Sequence, residues 1–334
     1  MRSQECRVPH VSFLRPGIAR TLLRQLVFAS LLTGGLFTSA QTADQAWLTY
    51  RSSHADHMFY PIAIRSLGPG PIEQSAVEEL KRNLGPLADL SAHGPGLSAR
   101  ASLAFAGQTV LGTLDEVRKA FPSLQTPRQL KPDGYWIYAN GLSGDQRLLV
   151  IAGAGQRGVL YGAFALLRLP ATGQRRNLHL HPLLSNPALP IRWVDDWDNP
   201  DGSIERGYAG RSIFFEGDNV RQDLAPVAAY ARLLASIGIN GCNVNNVNAA
   251  PQLLDSSHLK GLARIADAMR PWGVRLAMSV DVASPEKIGG LATYDPADSA
   301  VKAWWAAKVN EIYSLIPDFA GFTVKADSEG QPGP

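Results

Sequence analysis

Three carboxylates crowd one tryptophan in this sequence: Asp195, Asp196 and Asp198 surround Trp197. A second acidic pair, Asp327 and Glu329, lies well downstream. Cleaving a glycosidic bond takes one carboxylic acid to protonate the leaving oxygen and a second carboxylate to direct water or to attack. An indole beside them offers a large, flat, amphipathic face against which a sugar ring can stack. Taken singly, each acid reads equally well as a solvated or helix-capping residue. Their grouping with Trp197 is what carries the catalytic reading.

Other motifs point elsewhere and carry less. Gly153, Gly155 and Gly158 fit G-x-G-x-x-G between a strand and a helix. A dinucleotide site also needs an acidic residue about 20 positions on, and residues 171–186 hold none. The glycines therefore read as a tight strand-to-helix turn. His54 and His57 flank Asp56, and His179 alternates with His181. Neither pair has nearby cysteines or the helical H-E-x-x-H arrangement, so no metal site is expected. With no G-x-S-x-G and no Walker A string, serine-hydrolase and phosphate-loop chemistry have no support. No cofactor is expected.

Regular elements must position the acids. Residues 46–51 and 134–139 alternate like strands, and 146–151 is a buried-strand candidate. Residues 71–84 and 158–169 read as helices, the first with proline and acids early and basic residues late. Pro170, Pro182, Pro187 and Pro190 punctuate a connector, which separates a region 41–188 from a region 189–334. In the second region, strands at 191–197, 242–247, 274–282 and 320–326 alternate with helices at 223–237, 256–272 and 298–316. Gly238 and Gly273 stop the first two of these helices. Such repeats imply a parallel sheet, either open or half of a (β/α)8 barrel. Trp197, Asn199, Asn245, Asn246, Asp281, Lys325, Asp327 and Glu329 fall at or just beyond strand C-termini, as residues of a barrel mouth do. The expected fold class is α/β. A sandwich-like N-terminal α/β domain precedes the first half, four strands, of a (β/α)8 TIM barrel.

The chain has 334 residues, 45% of them hydrophobic, and a formal charge of +3. Mean hydropathy is -0.07. Fibrous, disordered and multi-span membrane classes are excluded. The basic excess is concentrated at the start. Arg2, Arg7, Arg15, Arg20 and Arg24 face only Glu5, ahead of an uncharged apolar run at 26–37 and small residues at 38–40. This is the order of an export signal, 1–40, and the run falls short of the ~20 residues of a permanent span. Removing 1–40 takes Lys and Arg from 32 to 27 and Asp and Glu from 29 to 28. The remainder is near neutral with scattered basic residues, which removes the electrostatic basis for nucleic-acid binding. Cys6 leaves with the signal, so Cys242 has no internal disulfide partner. Export to the periplasm or the cell exterior is expected.

Three long strings carry a resemblance. They are WVDDWDNPDGSIERGYAG at 193–210, GINGCNVNNVN at 238–248 and FTVKADSEGQPGP at 322–334. From about residue 45 onward the sequence resembles the α-glucuronidases of glycoside hydrolase family 67. The resemblance implies an N-terminal α/β domain, a (β/α)8 barrel and a largely helical C-terminal region. It implies removal of α-1,2-linked glucuronic acid, or its 4-O-methyl form, from glucuronoxylan-derived oligosaccharides, by inversion and without a metal. By the same resemblance Glu329 is the general acid and Lys325 pairs with the sugar carboxylate. Trp197 forms a stacking wall, Val247 faces the 4-O-methyl group and Asp327 supports the acid. Asn245 is added to the substrate-binding residues from its place at a strand end. The family places its general-base carboxylates and a uronate-binding Arg on later barrel strands. The expectation is therefore an N-terminal portion of such an enzyme, inactive alone, with homodimer contacts in the C-terminal region it lacks. Its half barrel would leave open strand edges and one apolar face uncovered. Two rival readings remain. One is a hexosaminidase-like barrel using Asp327 and Glu329 as its acid pair. The other is a non-catalytic carbohydrate-binding fragment.

Overall fold

The computed structural model describes residues 48, 63–92, 108–139, 148–171, 178, 180–325 and 333. The expected export signal and the acids Asp327 and Glu329 lie outside them, as does the expected strand at 46–51 apart from Leu48. So do His54, His57 and His179.

The first region is built from β1 (Ala63–Ser66), α1 (Pro71–Ala92), β2 (Gln108–Thr113), α2 (Leu114–Ala120), β3 (Tyr135–Ala139), β4 (Leu148–Gly153), α3 (Gln156–Ala171) and β5 (Leu183–Ser185). Its strands make one sheet in the order β1-β2-β4-β3-β5. β1, β2 and β4 are parallel, and β3 runs antiparallel to β4 and β5. β4 is apolar throughout because both of its faces are covered. Leu149 and Ile151 join Leu80 of α1 and Phe164 of α3 in one core. Val150 and Ala152 face the other way, against Leu114 and Val117 of α2. The region is thus a single mixed sheet with helices on both faces. Pro71 starts α1 where its missing N–H is not needed. α2 is short and is held by a capping box: Glu116 N donates to Thr113 Oγ1, and Thr113 N donates to Glu116 Oε2 at 2.7 Å.

The glycine motif makes a close strand-to-helix turn. A β-carbon on Gly158 would lie 2.3 Å from the Gly134 carbonyl oxygen, and one on Gly153 would lie 2.3 Å from Val159 N. Ala154 N donates to that same Gly134 oxygen at 2.9 Å. The chain's own backbone fills the approach that a pyrophosphate would need.

The second region comprises β6 (Trp193–Asp195), the hairpin β7 (Phe215–Glu216) and β8 (Asn219–Val220), then α4 (Ala225–Ser236), β9 (Gly241–Asn243), α5 (Ser256–Met269), β10 (Arg275–Val280), α6 (Ser284–Lys287), α7 (Ser299–Leu315) and β11 (Gly321–Val324). Strands β11-β10-β9-β6 form a parallel half-barrel sheet. Cys242, Leu276, Met278 and Val280 bury one face against Val227 of α4 and Leu259, Leu262 and Ile265 of α5. Gly238 and Gly273 adopt φ of +83° and +68° after the helical turns, where a β-carbon would be strained.

Strand alternation sends Trp193, Asp195, Asn243 and Ser279 to the opposite face. This face, expected as an uncovered apolar surface, carries polar side chains and one indole instead. The Trp193 ring lies over Gly241, where a β-carbon would come within 2.4 Å of it. The same ring reaches to 3.6 Å from the β-carbon position of Gly321.

The two sheets share one apolar core running from Leu80 and Phe164 to Val227 and Leu259. Charged contacts reinforce it. Arg232 of α4 makes a two-pronged bond to buried Glu79 of α1, 2.7 Å on each side. Asp133 accepts from Arg157 at 2.8 Å, Arg192 at 2.8 Å and Asn240 at 3.0 Å. Burial would raise the Asp133 pKa, but these bonds outweigh it and hold the carboxyl below its ordinary range.

Candidate active site

All four strands of the parallel sheet end at one edge, so the residues that follow them share it. Short bonds tie three of the four loops together. Glu205 N donates to Trp197 O at 2.8 Å, which folds the first loop back on itself. Asn246 N donates to Asp198 O at 2.8 Å, and Asn246 Nδ2 donates to Asn199 Oδ1 at 3.0 Å. Asn248 N donates to Asn246 Oδ1 at 2.9 Å. Lys325, just past β11, donates from Nζ to Asn248 Oδ1 at 2.8 Å. The last bond brings Lys325 to the side chain of Asn248, the residue that follows the half-buried Val247.

The three aspartates around Trp197 do not form a catalytic pair. Asp195 lies on the polar face, where its carboxylate accepts from Trp197 Nε1 at 3.2 Å and Asn243 Nδ2 at 2.6 Å. Asp196 points to the helix layer. Its two oxygens accept from Tyr230 Oη at 3.1 Å and Cys242 Sγ at 3.1 Å. Burial raises its pKa above the usual carboxylate value. The same burial, with Asp196 alongside, drives the Cys242 thiol pKa well up. That thiol is a protonated core group, with none of the thiolate character of a nucleophile. Asp198 is 5% exposed. Burial pushes its pKa up to about 6, although a bond from Ser212 lowers it and the Asp196 charge adds to the rise.

Asn245, expected to touch substrate, is committed to the protein. Its Nδ2 donates to Ser279 O at 3.1 Å and Asn246 O at 3.4 Å, and its Oδ1 accepts from Ser279 N at 2.8 Å. It splices the β9 loop to β10. Asp281 is likewise occupied, accepting from Ala283 N at 2.8 Å and Lys287 Nζ at 2.6 Å. Asn243, Asn248 and Ser279 were not singled out from the sequence. The asparagine-rich string at 243–248, at the C-terminal end of a strand, was the available signal. Asp327 and Glu329 lie outside the described residues. Among the described residues, no three His, Cys, Asp or Glu side chains gather as a metal site would require.

Comparison with known proteins names the relationship. The sequence model for the glycosyl hydrolase family 67 N-terminus matches residues 46–166, and that for the family 67 middle domain matches residues 172–334. The chain belongs to glycosyl hydrolase family 67. It is 43% identical over 323 residues to alpha-glucuronidase A of Aspergillus tubingensis, covering 93% of this chain and 36% of that protein. It is 41% identical over 313 residues to the alpha-glucuronidase of Hypocrea jecorina, covering 88% and 35%. This family 67 chain thus spans about a third of the length of the curated relatives it matches. Among solved structures, a family GH115 4-O-methyl-alpha-glucuronidase with specificity for decorated arabinogalactans aligns with a TM-score of 0.48 and 16% identity. That alignment covers 81% of this chain and 36% of the other.

Proposed function

We propose that this chain carries the uronate-binding and acid-bearing part of an α-glucuronidase. Such an enzyme takes α-1,2-linked glucuronic acid, or its 4-O-methyl form, off glucuronoxylan-derived oligosaccharides in xylan breakdown. Family membership, with relatives named alpha-glucuronidase at 43% and 41% identity, carries the reading. The bond from Lys325, just past β11, to Asn248 in the loop that carries Val247 supports it.

In this reading Lys325 is a point charge for the sugar carboxylate. Trp197 walls the sugar, Val247 faces the 4-O-methyl group, Asn245 holds the mouth and Asp327 supports the acid. Glu329 gives its proton to the glycosidic oxygen as that bond breaks. A base carboxylate outside residues 189–334 takes a proton from water as the water attacks the anomeric carbon from the opposite face. The acid and base would stand ~6.5–9.5 Å apart, which gives inversion. No metal or cofactor takes part. Residues 1–40 direct export to the periplasm or cell exterior, and pairing into a homodimer falls to a region beyond this chain.

The test is the purified chain with glucuronic acid and aldobiouronic acid. The expected result is saturable glucuronic acid binding by calorimetry with no release of sugar. Release that disappears in Glu329→Gln would overturn the division between acid and base. Turnover of N-acetylhexosaminides would replace the substrate class.

A further inference from the structure

We propose that Asp195 is a positioning residue that fixes the Trp197 indole at the edge of the sugar site, with Asn243 and Ser279 holding Asp195 from behind. The inference rests on the reading of Trp197 as the sugar-stacking wall. Residues i and i+2 of an extended segment share a face, so the last residue of β6 and the tryptophan beyond it stand on the same side. The Asp195 carboxylate spans two donors: Trp197 Nε1 reaches Oδ2 at 3.2 Å, and Asn243 Nδ2 reaches Oδ1 at 2.6 Å. Asn243 is 1% exposed. Its amide also lies 2.8 Å from Asn245 O and 3.0 Å from Ser279 Oγ. The indole is thereby tied through one carboxylate to β9 and β10.

A carboxylate suits this place for a chemical reason. It is acceptor-only and has two oxygens, so it can face two N–H donors at once. An indole left free rotates about two side-chain torsions, and a ligand that stacks on it must then supply the cost of ordering it. A ring held beforehand by a charge-assisted bond presents its face without that cost. The neighbouring carboxylate cannot substitute, since Asp196 is turned to Tyr230 and Cys242 on the other side of the sheet.

The test uses the full chain labelled with 15N-tryptophan. Its seven tryptophans give seven indole signals, and the signal missing in Trp197→Phe identifies Trp197. The expected result is slowed hydrogen exchange of the Trp197 indole N–H in the native chain. Exchange should speed up about tenfold or more in Asp195→Leu, on the scale of one charge-assisted bond. Asp195→Asn, which keeps one acceptor, should retain part of the protection. Unchanged positions of the other six signals show that the fold is intact. Equal exchange in the native chain and Asp195→Leu would overturn the proposal. Calorimetry with D-glucuronate separates it from the functional reading. Unaltered affinity in Trp197→Ala, or no binding by the native chain, counts against the wall, while the indole exchange still decides the role of Asp195.

Discussion

Asp198 shows how one buried group sets a pH dependence. Burial pushes its carboxyl pKa up to about 6 in the folded chain, against an ordinary 3.8. Between those values the folded state keeps a proton that the unfolded state has released, so stability falls as pH rises from about 4 to about 6. The loss across that window is on the order of 2 kcal/mol. Asp198→Asn should flatten it, as read from thermal unfolding midpoints at pH 4, 5, 6 and 7. Lys325 makes a prediction about binding. Lys325→Met should weaken glucuronate binding about tenfold, the scale of a lost charged contact, and leave neutral xylose unaffected. Asn248→Ala should give a smaller loss, since the ammonium keeps its charge and gives up only its Asn248 partner. Strand-end position in the sequence put Trp197 and Lys325 at one edge, and only the resemblance added Val247. Neither separated the fates of three clustered acids. Asp195 and Asp196 diverge because adjacent strand residues face opposite ways, which was readable. The hydrogen bond that Asp198 receives comes from Ser212, further along the loop, and no local pattern announces that.

Elements were legible where burial is periodic. Leu259, Leu262, Ile265 and Met269 are all buried along α5, as their spacing requires. Asp298 caps α7 by accepting from Ala300 N at 2.7 Å and Val301 N at 3.2 Å. The strands of the second sheet are shorter than their apolar runs predict. β6 and β9 have 3 residues each because the chain leaves the ladder for polar loops that bond to one another. β1, β2 and β5 went unread, since AIRS, QTVLGT and LLS are brief and their partners lie far along the chain. The glycine turn between β4 and α3 was readable as a turn but not as a contact, because Gly134 enters from the segment just ahead of β3. Gly158→Ala should therefore cost roughly 1–3 kcal/mol by overpacking, measured by urea unfolding. Gly155→Ala, with nothing within 4 Å of its β-carbon position, should cost far less.

At the scale of the molecule, the join between the two sheets is both apolar and ionic. Glu79 and Arg232 are nearly sealed from water, with side chains 0% and 5% exposed. Arg232→Ala should cost about 3–5 kcal/mol, because it takes the two-pronged partner from a buried carboxylate and leaves the weaker contacts from Asn83 at 3.2 Å and Arg82 at 3.9 Å. The double change Glu79→Leu with Arg232→Met should recover most of that, as differential scanning calorimetry of the three variants would show. Asp133 adds a contribution present at neutral pH and lost as pH falls below the ordinary aspartate range, since its folded pKa is depressed. With one core running through both sheets, the native chain should melt in a single calorimetric transition. The order of the second sheet has a consequence for how the protein is made. Its strands lie side by side in the order in which they are synthesised, β6, β9, β10, β11. Each one leaving the ribosome meets an edge already laid down by its predecessor, so the sheet can grow in one direction without waiting for a distant partner.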